Sequence, residues 1–153
     1  MKDLLIVNMT QHPASPEQLA AGVFDPTPEE RAEISALLTF DTLPQKGEIE
    51  ERAEELALTA LAILAARERS LSPCEQERLM ERGTVTYFAL IGGAPYLMPH
   101  LEQEMVGAGV HPLYAFSTRE SVEETLSDGS VKKTAVFRHR GFVAPTLGAG
   151  VIE

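Results

Sequence analysis

Two adjacent glycines, Gly92-Gly93, followed by Ala94-Pro95, are the residues whose types and spacing point most directly to chemistry. They follow a β-branched and aromatic run, Thr84 to Ile91, which has the character of a strand. Beyond them Leu97, Leu101 and Met105 recur at four-residue steps, with Met98 on the same face, which is helical periodicity. Pro95 suits the first helical position, where a missing N–H costs nothing. The glycine pair is thus expected at the carboxyl end of a strand, just before a helix N-terminus. Main-chain N–H groups at such a point attract anions, and glycine admits a ligand close to the backbone. Gly-Gly-Ala-Pro is neither a Walker loop nor a G-x-G-x-x-G fingerprint, and its spacing equally fits a tight turn with no ligand.

A second apolar run, His111 to Phe116, ends in Ser117-Thr118-Arg119-Glu120. Strand, glycine turn, helix and strand make a βαβ unit, and such units build parallel sheets whose ligands sit outside the carboxyl ends of the strands. Near the start, Leu4-Leu5-Ile6-Val7 reads as a strand buried on both faces. It leads into Asn8-Met9-Thr10-Gln11-His12-Pro13, a loop dense in hydrogen-bonding side chains.

The helices that must position these segments announce their own starts. Ser15-Pro16-Glu17-Gln18 combines an N-cap, a first-position proline and a capping-box partner, and Thr27-Pro28-Glu29-Glu30 and Ser72-Pro73-Cys74-Glu75 give similar signals. Gly22 and Gly83 are expected stops. Ile49, Ala53, Leu56, Ala60 and Ile63 or Leu64 form one apolar stripe, predicting the longest helix over Glu48 to about Arg67. Leu38-Thr39-Phe40 is a candidate short strand. After Arg119 the period becomes two, and Asp128-Gly129 between alternating runs predicts a hairpin of Ser121–Leu126 with Val131–Phe137. The expected class is α/β: a parallel sheet flanked by helices, with a C-terminal antiparallel β-hairpin. Residues 1–143 read as a single domain and 144–153 as a flexible tail.

Composition narrows the functions available. A chain of 153 residues, 44% hydrophobic and 24% charged, suits one globular domain. No apolar run approaches the roughly eighteen residues of a membrane span, and the N-terminus lacks the pattern of a secretory signal, so no membrane partner and a cytoplasmic location are expected. One cysteine, Cys74, excludes an internal disulfide and supports no thiolate metal cluster. The net charge of −10 argues against duplex nucleic acid as a partner. That charge is uneven: residues 1–110 hold 8 basic and 18 acidic residues, whereas residues 111–153 hold 5 of each. Arg119, Lys132, Lys133, Arg138 and Arg140 all fall in the latter part, so a small anion is compatible with a local site.

The order of these segments resembles a known group. Tyr96-Leu97-Met98 after a Gly-containing turn, Pro112-Leu113-Tyr114-Ala115, Arg119-Glu120-Ser121-Val122-Glu123-Glu124, Asp128-Gly129-Ser130-Val131-Lys132-Lys133, Val136-Phe137-Arg138-His139 and Phe142 carry the likeness. Together they resemble the small stand-alone CRISPR-associated proteins related to the CARF (Rossmann-like) ligand-binding domain, whose members include ring nucleases. The likeness is densest from about Tyr87 to Phe142. It implies a Rossmann-like fold, a homodimer, cyclic oligoadenylate as ligand and no cofactor or metal. The implied reaction is attack of a ribose 2′-OH on the neighbouring phosphorus. The implied site is three loops: Thr10, Gln11 and His12; Gly92, Gly93 and Ala94; and Ser117, Thr118 and Arg119. Within it, His12 is the candidate proton-transfer group and Arg119 the candidate phosphate clamp. Pro95 departs from this pattern by removing one N–H donor. His12 also fits a loop residue bonded to its own backbone, and Arg119 a surface ion pair with the Glu-rich strand.

Overall fold

The computed structural model describes residues 3–147 and the backbone of 151–152. The chain opens with β1 (Leu5–Asn8), all four residues buried, and α1 (Pro16–Ala20). These lead to β2 (Val23–Phe24), a two-residue strand whose brevity hid it from any periodicity argument. Next come α2 (Pro28–Leu38), α3 (Lys46–Ser70) and α4 (Pro73–Leu79). A small antiparallel pair follows, β3 (Met80–Glu81) with β4 (Thr84–Val85). The second half contains β5 (Tyr87–Leu90), α5 (Met98–Gly107), β6 (Val110–Thr125), β7 (Val131–Val143) and β8 (Val151–Ile152).

The main sheet has the order β2-β1-β5-β6-β7-β8. β2, β1, β5 and β6 run parallel, and β7 and β8 add on antiparallel. The expected class therefore holds: a parallel Rossmann-like sheet flanked by helices, with an antiparallel hairpin at its C-terminal side. One face packs against α2, α3 and α5 through Val7, Ile34, Leu56, Leu64, Leu101 and Met105, all buried. The other face holds Ile6, Phe88, Leu90, Leu113 and Phe142, with Ala14, Ala21 and Leu147 against it.

Local chemistry explains most element starts. Ser15, Thr27 and Ser72 each cap a helix with a full capping box, and proline occupies the first turn in all three. Arg52 on α3 donates to the carbonyls of Ala36, Leu37 and Thr39, satisfying the open end of α2, and its guanidinium lies 4.2 Å from the Phe40 ring centroid. This capping explains why Leu38-Thr39-Phe40 is a helix end and its exit, not a strand.

Several expectations are corrected. The Thr84–Ile91 run divides, with Thr84–Val85 turning back on Met80–Glu81 and only Tyr87–Leu90 entering the main sheet. α5 begins at Met98 with Pro99 in its first turn, so Pro95 sits in a preceding turn closed by Leu97 N–H donating to Ala94 O at 3.0 Å. The run after His111 does not stop at Phe116: β6 continues unbroken through Ser117-Thr118-Arg119 to Thr125. The segment set apart as a flexible tail contributes Ala144 to the core, and Val151–Ile152 pair with Phe142–Val143; residues 148–150 and 153 lie outside the described residues.

Gly22 joins α1 to β2 at φ +112°, and a Cβ there would meet Leu4 O at 2.4 Å. Gly22→Ala is expected to cost on the order of 2–3 kcal/mol through combined strain and overlap, read as a lowered urea midpoint with an unchanged slope.

Candidate functional site

Strand order defines where a ligand has room. β1 connects through α1 to β2 on one side, and β5 connects through α5 to β6 on the other. The two crossovers leave adjacent strands in opposite directions, which opens a crevice at their carboxyl ends. A cavity of about 540 Å³ lies there, lined among others by Thr10, Gln11, His12, Gly92, Gly93 and Ala94. Two of the three expected segments thus converge.

The third does not. Ser117, Thr118 and Arg119 pair with His139, Arg138 and Phe137 in the β6–β7 ladder, beyond the last β5–β6 pair at Leu90 and Leu113. They are absent from the crevice lining, which takes Tyr114 and Ala115 from β6 instead. The reason is that an antiparallel partner extends β6 where an edge strand would have turned into a loop. Thr118 Oγ1 accepts from Arg140 Nε at 2.8 Å, while Arg119 is exposed and forms no ion pair among the described residues.

The first loop is held by a residue that sequence reading passed over. Asn8 is 1% exposed, the one buried polar side chain among the described residues. Its Nδ2 donates to His12 O at 2.7 Å and to Asp25 Oδ1 at 2.8 Å. Its Oδ1 accepts from Thr10 N–H at 3.0 Å and Thr10 Oγ1 at 2.7 Å. Asp25 Oδ1 also accepts from Ala14 N–H at 3.1 Å and pairs with Arg31 at 3.1 Å. The available signal was an amide ending an apolar strand, a position where a side chain can bond its own backbone two residues on. Gln11 Nε2 donates to Thr39 Oγ1 at 3.1 Å, tying the loop to the end of α2. His12 is left exposed at the rim, its side chain without a hydrogen bond among the described residues.

The second loop lies opposite. Gly93 adopts φ +154°, a conformation side chains rarely take, and a Cβ there would only touch Leu38 and Met98 at 3.5 Å. Backbone shape, not crowding, thus calls for glycine. Gly92 faces Thr10, whose Cγ2 would lie 3.7 Å from an added Cβ. The N–H groups of Gly92, Gly93 and Ala94 donate to no acceptor among the described residues, in contrast with Ile91 N–H, which donates to Leu113 O at 2.9 Å. Three open donors beside a cavity are suited to an anionic oxygen. They stand several residues before α5, so the helix start contributes less than Pro95 had suggested.

Among the described residues, no lysine or arginine lines the crevice. Tyr114 forms part of its wall, with its hydroxyl donating to Glu102 Oε2 at 2.8 Å. Burial, then the hydrogen bond to Glu102 and its charge, push that hydroxyl well above the ordinary phenol range. Burial and neighbouring Glu68 push Tyr87 in the same direction. Among the described residues no group of His, Cys, Asp or Glu could hold a metal ion. A second cavity of about 620 Å³ shares no lining residue with the crevice and lies beside Leu4, Gly22, Arg78 and His139.

Fold and site together define a Rossmann-like α/β protein with a donor-lined crevice at its topological switch point. Residues 4–143 match the family described as the Uncharacterized protein MJ1673 family, and the chain belongs to it. No curated protein and no solved structure matches the sequence. No helix among the described residues is long and apolar enough to cross a membrane.

Asn8→Ala is expected to cost about 1–3 kcal/mol by leaving the Asp25 carboxylate and Thr10 N–H without their shared partner. Hydrogen exchange should accelerate at Thr10 more than in β5. Both phenols titrate higher folded than unfolded, so their contribution to stability is intact below about pH 10 and is lost as pH rises through the folded values. A fall in melting temperature that sets in above about pH 10, and is smaller in Tyr114→Phe, checks this.

Proposed function

We propose that this protein binds cyclic oligoadenylate in the β1–β5 crevice and opens it as a ring nuclease. The observation that carries the reading is the convergence of the His12 loop and the Gly92-Gly93-Ala94 donors on one cavity. Its volume, about 540 Å³, falls within the ~300–1,000 Å³ of small-ligand sites. The likeness of Tyr87–Phe142 to small CRISPR-associated CARF-like proteins supplies the ligand class. In a homodimer, two such crevices related by a two-fold axis would offer identical groups to opposite halves of a rotationally symmetric ring.

The reaction needs little from the protein. A ribose O2′ attacks the adjacent phosphorus, forming the O2′–P bond as the P–O5′ bond breaks, and leaves a 2′,3′-cyclic phosphate and a 5′-hydroxyl. His12 takes the 2′-OH proton as general base, and solvent protonates the departing O5′. The N–H groups of Gly92 and Gly93 meet the charge that builds on the phosphoryl oxygens. Thr10, Gln11 and Ala94 hold the ligand at the rim.

A second reading is favoured by one observation: among the described residues the lining holds no lysine or arginine to neutralise the pentavalent phosphorane. On that reading the crevice binds and sequesters the nucleotide without cleaving it. Incubation with cyclic tetra-adenylate in EDTA distinguishes the two. Linear products with a 2′,3′-cyclic end are expected; tight binding by calorimetry with intact ligand selects sequestration, and absence of binding removes both. His12→Ala should preserve binding and slow cleavage by about 10²–10⁴-fold.

A further inference from the structure

The larger cavity, about 620 Å³, differs from the crevice in place and in composition. It lies where the end of α3 and α4 meet the amino ends of β1 and β2, whereas the crevice lies at carboxyl ends. Its walls carry the cations that the crevice lacks: Arg67 from α3, Arg78 from α4, and Arg140 with His139 from β7. Two carboxylates, Asp3 and Glu75, share the lining. With Glu120 and Arg138, which are paired to this group from outside it, four guanidinium groups meet three carboxylates. The cavity thus holds a local excess of one positive charge in a chain of net charge −10.

β7 is built to bring two neighbouring residues to this cavity. Consecutive residues of a regular strand face opposite sides, yet His139 and Arg140 both line it. The ladder pairs Phe116 with Gly141 and Ser117 with His139, so Arg140 is an extra residue, and Gly141 beside it takes φ +146°. Bulges of this kind re-aim side chains and are common next to functional sites. Arg140 donates through Nε to Thr118 Oγ1 at 2.8 Å and through Nη2 to Glu120 at 2.6 Å, with Nη1 open among the described residues. His139 packs on the Phe142 ring at 4.8 Å between centroids. Its Nδ1 is shielded from solvent and, alone among the described side-chain nitrogens and oxygens so shielded, has no hydrogen-bond partner. Such orphans are few in folded proteins. The torsion of an imidazole about its ring bond is soft, so a small turn toward a bound acceptor satisfies that nitrogen.

Arg67 is exposed, forms no ion pair among the described residues and holds its guanidinium 4.9 Å from the Phe24 ring centroid. Glu75 feels the charge of Arg67 and Arg78, but its carboxylate caps α4, accepting from Ser72 N–H at 3.2 Å. Asp3 is held by Arg78 at 3.6 Å. Leu4, Leu19 and Leu71 add hydrocarbon to the walls. We propose that this cavity binds a nucleoside monophosphate, its phosphate meeting Arg140 Nη1 and His139 Nδ1 and its base lying on the face of Arg67 turned away from Phe24. Guanidinium planes serve both as donors to phosphate and as stacking surfaces for bases. The volume is that of a small-molecule site and exceeds what a bare phosphate fills. A single surplus positive charge suits one phosphate ester better than a polyphosphate or a nucleic-acid backbone, each of which needs many cations. This site shares no residue with the crevice and does not rest on the reading given for it.

Calorimetry with adenosine 5′-monophosphate and with ribose 5-phosphate tests the proposal. One adenosine 5′-monophosphate per chain is expected, with ribose 5-phosphate at least tenfold weaker because it has no base to stack. Arg67→Ala and Arg140→Gln should each weaken the mononucleotide at least tenfold. No binding at millimolar mononucleotide overturns the proposal, as does equal affinity for the sugar phosphate or full affinity in either variant. Nuclear magnetic resonance of the unaltered chain locates the ligand without any substitution, and decides the matter if a variant fails to fold. Adenosine 5′-monophosphate should shift the imidazole signals of His139, and a titration that leaves them in place puts the ligand elsewhere and overturns the assignment. Neither measurement uses a cyclic nucleotide, so failure of the ring-nuclease reading shows separately, as lack of cyclic tetra-adenylate binding.

Discussion

The buried amide of Asn8 is the interaction on which the crevice depends. Its donor and acceptor sides are used on both strand-to-loop and loop-to-β2 contacts, reaching His12 O, Thr10 and Asp25. An unpartnered amide in that position would carry a desolvation penalty of about 1–3 kcal/mol, so the loop geometry and the burial enforce one another. Asp25 extends the constraint to Ala14 and Arg31, which links the start of α1 to α2. Thr10 and His12 therefore stand where they do because the core beneath them has a polar group to satisfy.

Opposite this anchored loop, the glycine turn is shaped by backbone preference and by what packs behind it. Leu97 and Met98 are buried beneath it, and Tyr96 stacks edge-on against Phe40 at 5.4 Å. Phe40 in turn lies under Arg52, the residue that closes the end of α2. The loops that line the crevice are thus backed on one side by hydrogen bonds and on the other by aromatic and cation–π contact. Between them the unused N–H groups of Gly92, Gly93 and Ala94 are presented without side chains in front of the two glycines.

Sequence pattern revealed the elements whose stability is local. Capping boxes at Ser15, Thr27 and Ser72 placed three helix starts, and the apolar stripe from Ile49 to Leu64 placed α3 within a few residues. The buried run at Leu5 also read correctly, and the glycine pair was placed rightly after a strand, although the helix beyond it begins at Met98 and not at Pro95. What escaped depends on distant partners. β2 is a strand only because β1 lies beside it, and Ser117–Arg119 stay extended only because β7 pairs with them. Asn8 looked like one polar loop residue among several until the position of Asp25 gave its amide a reason to be buried.

The sheet joins segments of very different separation along the chain. β6 and β7 meet across the short turn at Ser127–Gly129, while β1 acquires β5 only after four helices have intervened. Closing the longer loop costs more chain entropy, so the hairpin has the kinetic advantage and the central parallel pair the disadvantage. During folding, Leu5-Ile6-Val7 must wait in solvent beside an already formed ribbon with open edges. Lys132 and Lys133 on that ribbon then act as gatekeepers, their charge discouraging intermolecular strand addition before the central strand finds its neighbour.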